Sequence, residues 1–362
     1  MKIGILTFHW ATNYGAVLQC YALQSYLESL GYDVEVINYK PNQWITRLSN
    51  LLHTKSWLQM KNAIFLSERE RALRIFRSKY LHLTTRIRKC SQLSLMSNHY
   101  DAIISGSDQV LSISFLQNGD GKNRFTPSYY LGFSFEGKKI TYAASFGCTE
   151  YPLILIPRVK EIISSLTAIS VRENTGKKIM EKLGRSDAVV VPDPTVLLDK
   201  RDYLSIFEGE DKRISDDSFC YCFFIRNIEK RKKTIDAIGF SHMIWNTDNG
   251  DFTLEGWLKN INHANFVITD SFHCVMMCLK MHTPFVAVTE QAGNVGMNDR
   301  LYTLLDVVGL HERIVHKSEL AKIDCLVKKN IDWLNVDKRL EDNKQIGVDF
   351  LHKSLCDEGF AN

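Results

Sequence analysis

The sequence is short of the features that announce several common classes of protein. No run of 18 apolar residues occurs, and the most apolar helical candidate, 275–281, is short and carries Lys280, so no membrane span is expected. The opening Met1-Lys2-Ile3-Gly4-Ile5-Leu6 enters a strand pattern at once and lacks the three-part plan of a secretory signal. A cytoplasmic protein is the expectation, at most peripheral to the inner face of the membrane. The nine cysteines are odd in number and contain no C-x-x-C pair, which supports neither a disulfide framework nor a zinc site. Buried free thiols in a reducing compartment are expected instead, and no metal. With 7 prolines and 20 glycines in 362 residues, collagen-like and low-complexity classes are excluded. A net charge of +4 from 45 basic and 41 acidic residues lacks the concentration of a nucleic-acid binder, so no nucleic-acid partner is expected. The dinucleotide fingerprint G-x-G-x-x-G and the hydrolase elbow G-x-S-x-G are missing as well.

What is present alternates. An apolar strand at 2–8, a loop, a helix at 15–30 stopped by Gly31, and a strand at 33–39 make a βαβ unit. Residues 42–98 then read as a helical insertion. It holds the one dense basic run, Arg69, Arg71, Arg74, Arg77, Lys79, Arg86, Arg88 and Lys89, either a solvated helix face or a surface for acidic lipid or a diphosphate-linked substrate. From 101 the alternation resumes, with strands at 102–105, 129–133, 140–144, 168–171 and 188–191 and helices at 153–165 and 173–183. The acidic stretch 199–218 reads as a linker. Beyond it come strands at 219–225, 242–245, 266–269 and 284–288, with helices at 253–261, from 272 and from 299. The expected fold is α/β, two Rossmann-like domains facing a cleft, with the insertion in the first. Its bounds are 1–200 and 215–340, followed by a C-terminal helix, 341–362, packing back on the first domain.

Candidate site residues cluster where strands hand over to helices. Asn13, Tyr14 and Gly15 open the first helix, where backbone N–H groups and the helix dipole favour an anion or a polar sugar; a plain tight turn is the alternative. Gly106, Ser107, Asp108 and Gln109 set small residues beside an acid and an amide, a layout that lets a ligand approach backbone, or a simple helix cap. Ser145, Phe146 and Gly147 belong to the same rim. Arg172 ends a strand and can fork a phosphate or carboxylate, or form a structural ion pair with Asp193 or the surroundings of Glu173. Asp270 and Ser271 are plausible caps, and they place His273 in the first turn of an apolar helix, where an imidazole can move a proton or orient a hydroxyl; a packed core histidine is the alternative.

Together, ILTFHWATNYGAVLQCYALQSYL, SGSDQV, TYAASFG, ISVREN, VPDPTVLLD and ITDSFHCVMMCLKMHTPFVAV, in this order from Gly4 to about Gly309, resemble the polysaccharide pyruvyl transferase family. The resemblance implies a fold similar to glycosyltransferase B. It also implies a reaction in which phosphoenolpyruvate, the donor substrate, gives its three-carbon unit to two sugar hydroxyls as a cyclic ketal, releasing phosphate, with no cofactor. The acceptor would be a capsule, exopolysaccharide or cell-wall glycan, including a polyprenyl-diphosphate-linked precursor, and peripheral membrane contact would follow. Arg172 and His273 match the family's donor-binding arginine and cleft histidine, so the implied catalytic pair is Arg172 and His273, with Ser271 and Phe272 at the donor. The chain departs from the family in one place: Ser271-Phe272-His273 stands where several members have R-L-H. Arg226 or Arg300 is expected to supply the missing charge. Two other readings stay open, a nucleotide-sugar glycosyltransferase and a non-catalytic glycan-binding member of a biosynthetic complex.

Overall fold

The computed structural model describes residues 1–40, 57–208, 219–225, 232, 235, 240, 242–246, 250–290 and 298–356. The chain divides into two compact units, Met1–Leu197 with Lys344–Asn362, and Leu198–Asn343.

The first unit is built on a six-stranded sheet of β1 (Lys2–Leu6), β2 (Asp33–Val36), β3 (Ala102–Ser105), β4 (Lys138–Ala144), β5 (Ala168–Val171) and β6 (Val189–Val190). Their order is β2-β1-β3-β4-β5-β6, and every pairing is parallel. Parallel strands are covered on both faces, and here alternate residues feed two separate apolar clusters. Ile3, Ile5, Ala102, Ile104, Ile140 and Tyr142 pack with Cys20, Leu23 and Leu27 of the helix Tyr14–Ser29 and with Leu351 and Leu355 of the helix Trp333–Cys356. Leu6, Ile103, Ile169 and Val171 pack on the opposite face with Val159 and Ile163 of the helix Ile156–Ile163 and Ile179 and Met180 of the helix Asn174–Lys182. The second unit repeats the plan with β7 (Cys220–Phe223), β8 (Met243–Trp245), β9 (Phe266–Thr269), β10 (Phe285–Thr289) and β11 (Ile314–His316), all parallel, in the order β11-β10-β9-β7-β8.

Several expectations change. The expected strand at 129–133 is a 3-10 turn, Ser128–Tyr130, ended by Leu131 in the left-handed region at φ 54°. Its tyrosines serve the core instead of a ladder: Tyr130 Oη donates to Leu111 O at 2.5 Å, and the Tyr129 ring meets Phe8 edge-on at 4.9 Å. The expected linker contains the helix Lys200–Ile206, opened by a capping box between Asp199 and Asp202, while 209–218 lies outside the described residues. Within the insertion, the helix Trp57–Tyr80 is followed by extended chain bridging Leu83 to Val36 and Ile87 to Tyr39.

The basic run does not form one surface. Arg77 is buried, pairs with Glu70 at 2.5 Å, and donates to the carbonyls of His9 and Ala11, so it braces the loop after β1. Arg69 lies over the rings of Tyr14 and Phe65. Cys20, Cys220, Cys222, Cys274 and Cys278 are buried free thiols, whereas Cys325 and Cys356 are exposed. Among the described residues no helix is long and apolar enough to cross a membrane, and no group of three His, Cys, Asp or Glu is arranged to hold a metal ion.

Candidate functional site

In the first sheet the chain runs outward from β1 to β2 and then crosses to β3 on the other side of β1. Ligands of open α/β sheets bind outside the carboxyl ends of the strands at such a reversal. The loops after β1, β3, β4 and β5 emerge side by side there, and polar side chains knit them together. Thr7 Oγ1 donates to Ser107 O, Gln19 Nε2 donates to Thr7 Oγ1, and Gln19 Oε1 accepts the Ser107 N–H at 3.0 Å. Gly106 is obligatory: at φ 130° a Cβ would stand 2.1 Å from the carbonyl oxygen of Tyr142. Gly147, at φ 68°, lets the Gln109 side chain lie against its backbone, where a Cβ would be 2.8 Å from Gln109 Cδ.

Arg172 leaves β5 into the centre of this rim, with only 3% of its surface exposed. Nη1 lies 2.9 Å from Asp193 Oδ2, Nη2 lies 3.5 Å from Asp108 Oδ1, and Nε lies 3.7 Å from Glu173 Oε2. The ion pair with Asp193 that the sequence offered for Arg172 is present. Burial works against its charge, but Asp193, Asp108 and Glu173 together outweigh that and hold the guanidinium above its ordinary value. Each carboxylate is held in turn. Asp193 Oδ1 caps the 3-10 turn Pro194–Val196 through the N–H and Oγ1 of Thr195, and its Oδ2 also lies 3.1 Å from Ser107 Oγ. Ser145 Oγ donates to Glu173 Oε1 at 2.5 Å. Asp108 sits at φ 70° and is the part-exposed acid of the three, with 18% of its side chain accessible. A rim with one cation among three carboxyls is suited to accepting hydrogen bonds from hydroxyls more than to receiving another anion.

The remaining candidates of this unit also hold the local structure together. Asn13 caps its helix through the Ala16 N–H, Tyr14 and Gly15 are buried in the first turn, and Phe146 packs edge-on against Tyr151 in the core. Sequence reasoning passed over Thr7, Gln19 and His9. The first two had a signal, since each is a polar residue set inside an apolar run.

His9 is buried, with Nδ1 3.2 Å from Thr7 O and Nε2 3.2 Å from Asn38 Oδ1. Burial outweighs those hydrogen bonds and, with Arg77 and Lys40 nearby, pushes its pKa down to about 4. The unfolded chain, with an ordinary histidine near ~6.5, binds more protons across the interval down to 4, so stability is lost as pH falls through it. The expected loss is up to about 3 kcal/mol. Urea unfolding of the protein and of a His9→Gln variant at pH 7 and 4.5 checks this: the variant's stability should fall less by about 2–3 kcal/mol.

In the second sheet the reversal lies between β7 and β9, and the segment Asp270–His273 leaves β9 there. Asp270 Oδ1 accepts the N–H of Ile225, tying the end of β9 to the end of β7. Ser271 caps the helix Phe272–Met281 through the Cys274 N–H at 3.3 Å, while its own N–H donates to Thr269 Oγ1. His273 is buried in the first turn and meets the Phe272 ring edge-on at 5.2 Å. The guanidinium of Arg300, in the helix Asp299–Val307, lies 5.8 Å from the centre of the Phe272 ring. Arg300, one of the two residues expected to supply a cation here, therefore stands beside this segment. Arg226, the other expected source of that charge, is outside the described residues.

A family model described as polysaccharide pyruvyl transferase matches residues 13–291. No curated protein matches the chain. Among solved structures, the UDP-GlcNAc 2-epimerase of Methanocaldococcus jannaschii in complex with UDP-GlcNAc and UDP is similar at 12% identity and a TM-score of 0.47, over 94% of this chain and 99% of that one. The UDP-GlcNAc 2-epimerase of Neisseria meningitidis is similar at 8% and 0.48, over 98% and 100% of the two chains. A glycosyltransferase from Streptomyces nogalater is similar at 10% and 0.42, over 98% and 99%.

Proposed function

The chain belongs to the polysaccharide pyruvyl transferase family, and on that premise we propose that it moves the pyruvyl group of phosphoenolpyruvate onto two hydroxyls of one sugar in a polysaccharide or its lipid-linked precursor. The match over residues 13–291 carries the reading, because it takes in the candidate segments of both units.

The chemistry balances as follows. A proton adds to the enol carbon and leaves C2 electrophilic; one sugar hydroxyl adds to C2 and loses its proton; the C2–O bond to phosphate breaks; the second hydroxyl closes the ketal and loses the other proton. Of the two protons released, one replaces that given to the donor carbon and the other leaves with phosphate. His273 is the acid or base in this scheme, at a helix start whose dipole favours the donor's negative groups, and Arg300 beside Phe272 supplies the cation. Asp108 and its neighbours in the first unit form a carboxyl-lined rim whose chemistry suits sugar hydroxyls. Arg172 acts as a positioning residue that fixes Asp108 and Asp193.

Contact with an acidic membrane surface is part of the proposal. On the helix Trp57–Tyr80, Ile64 and Ile75 are 58% and 61% exposed and share a face with Arg71 and Arg74, a mixture that suits anionic lipid.

Incubating the protein with phosphoenolpyruvate and a panel of bacterial glycans should release phosphate only when the right glycan is present. The product should then carry one pyruvyl ketal by mass spectrometry. Phosphate release that ignores the glycan, or a product without the ketal, overturns the reading.

A further inference from the structure

We propose that a cavity of about 490 Å³ in the first unit, lined by Arg88, Lys89, Ser91, Arg124 and Phe125, is a subsite for a diphosphate-bearing ligand. Its size falls in the ~300–1,000 Å³ range of small-ligand pockets. Three cations face one space, and among the described residues none of their side chains forms an ion pair with a carboxylate. Such an arrangement raises the local positive potential, and a bound anion relieves it. Two arginines offer planar forks to phosphate oxygens, Lys89 adds a point charge and Ser91 a hydroxyl.

The walls are held in place by hydrogen bonds that do not use the cations. Gln92 Oε1 accepts the N–H groups of both Arg88 and Lys89, at 3.1 and 3.0 Å. Thr126 Oγ1 donates to Arg124 O and accepts the N–H of Asp120. Asp120 is the acid in the lining, and both its oxygens are engaged: Oδ1 accepts from Tyr39 Oη at 3.0 Å and Oδ2 from the Cys90 N–H at 2.9 Å. It therefore clamps the 88–91 arm to the 120–126 arm and does not neutralise either arginine.

Packing joins this cavity to the candidate acceptor rim. The Tyr39 ring meets Tyr129 edge-on at 5.5 Å, and Tyr129 Oη accepts from Trp10 Nε1 at 3.1 Å, in the loop that leads from β1 to Asn13. The contacts from Asp120 through Tyr39, Tyr129 and Trp10 tie the cavity wall to the loop that carries Asn13. That the diphosphate belongs to the sugar acceptor rests on the pyruvyl-transfer reading; that the cavity takes a diphosphate does not.

Calorimetric titration with inorganic pyrophosphate tests the subsite without any turnover. Binding to the intact protein should weaken at least tenfold in Arg88→Ala/Arg124→Ala, with a shallower dependence on salt. The melting temperature without ligand should not change, because both side chains are exposed. Lys89→Ala should weaken binding by less. Equal affinity in the intact protein and the double variant overturns the proposal, and a protein that transfers no pyruvyl group can still pass. Displacement of pyrophosphate by a prenyl diphosphate in vesicles assigns the ligand to a lipid carrier, and displacement by uridine diphosphate assigns it to a nucleotide. Displacement by neither overturns the proposal.

Discussion

Replacing Arg172 with methionine should cost about 3–5 kcal/mol of unfolding free energy, the range found when one partner of a buried ion pair is removed. Methionine fills much of the same volume but leaves Asp193, which is 1% exposed, and Glu173, which is 4% exposed, without their cation. Buried carboxylates deprived of a partner take up protons more readily, so the folded variant binds more protons than its unfolded chain and loses stability as pH rises. Urea unfolding at pH 5 and pH 8 should therefore show the deficit growing toward pH 8. The same variant separates two roles. A positioning residue reveals itself as lost stability with a lower kcat, and adding Asp193→Asn should restore part of the stability. If Arg172→Met instead keeps the parent's unfolding free energy and raises only the KM for phosphoenolpyruvate, the guanidinium touches the donor directly.

The strands were legible wherever both faces are buried. Ala102–Ser105 and Phe266–Thr269 are apolar runs ending in a hydroxyl residue, Ala168–Val171 is apolar apart from Ser170 and is followed by Arg172, and the structure has all three with the bounds the pattern suggests. The aromatic run Ser128–Tyr130 misled for the same reason, since period and composition alone do not separate a buried turn from a buried strand. β11 escaped because three residues carry no period.

Side-chain partnerships were harder to read than elements. Arg77 looked like one more surface cation, yet Leu73, Phe76, Arg77 and Tyr80 fall at the spacing of one helix face, and that face turns inward. Arg172 was legible as a residue that matters, whereas the three carboxyls it organises come from strand ends 64 and 21 residues away and from its own neighbour. The parallel order of β3, β4, β5 and β6 brings them to one rim. The basic cavity was half visible, because Arg88 and Lys89 belong to the dense run but Arg124 does not, and the clamp through Asp120 is a tertiary contact.

His273→Gln should lower the rate of pyruvyl transfer by ~10²–10⁴-fold, the usual yield of a positioned acid or base. Glutamine keeps hydrogen-bonding capacity at the first turn of the helix Phe272–Met281 and removes the ability to exchange a proton. It is preferred to alanine because His273 is buried against Phe272, and truncation there would open a void and cost stability for reasons unrelated to chemistry. The cap that builds this turn, Ser271 Oγ on the Cys274 N–H, does not involve the imidazole, so the variant's melting temperature should stay close to the parent's. Phosphoenolpyruvate binding, followed by calorimetry, should change by no more than a few fold, since the cation proposed for the donor is Arg300. The loss would then fall on kcat and not on KM, the signature of a group that acts in the transition state. Transfer within tenfold of the parent rate would remove His273 from the proton-transfer steps and leave it as a packed residue of the helix start.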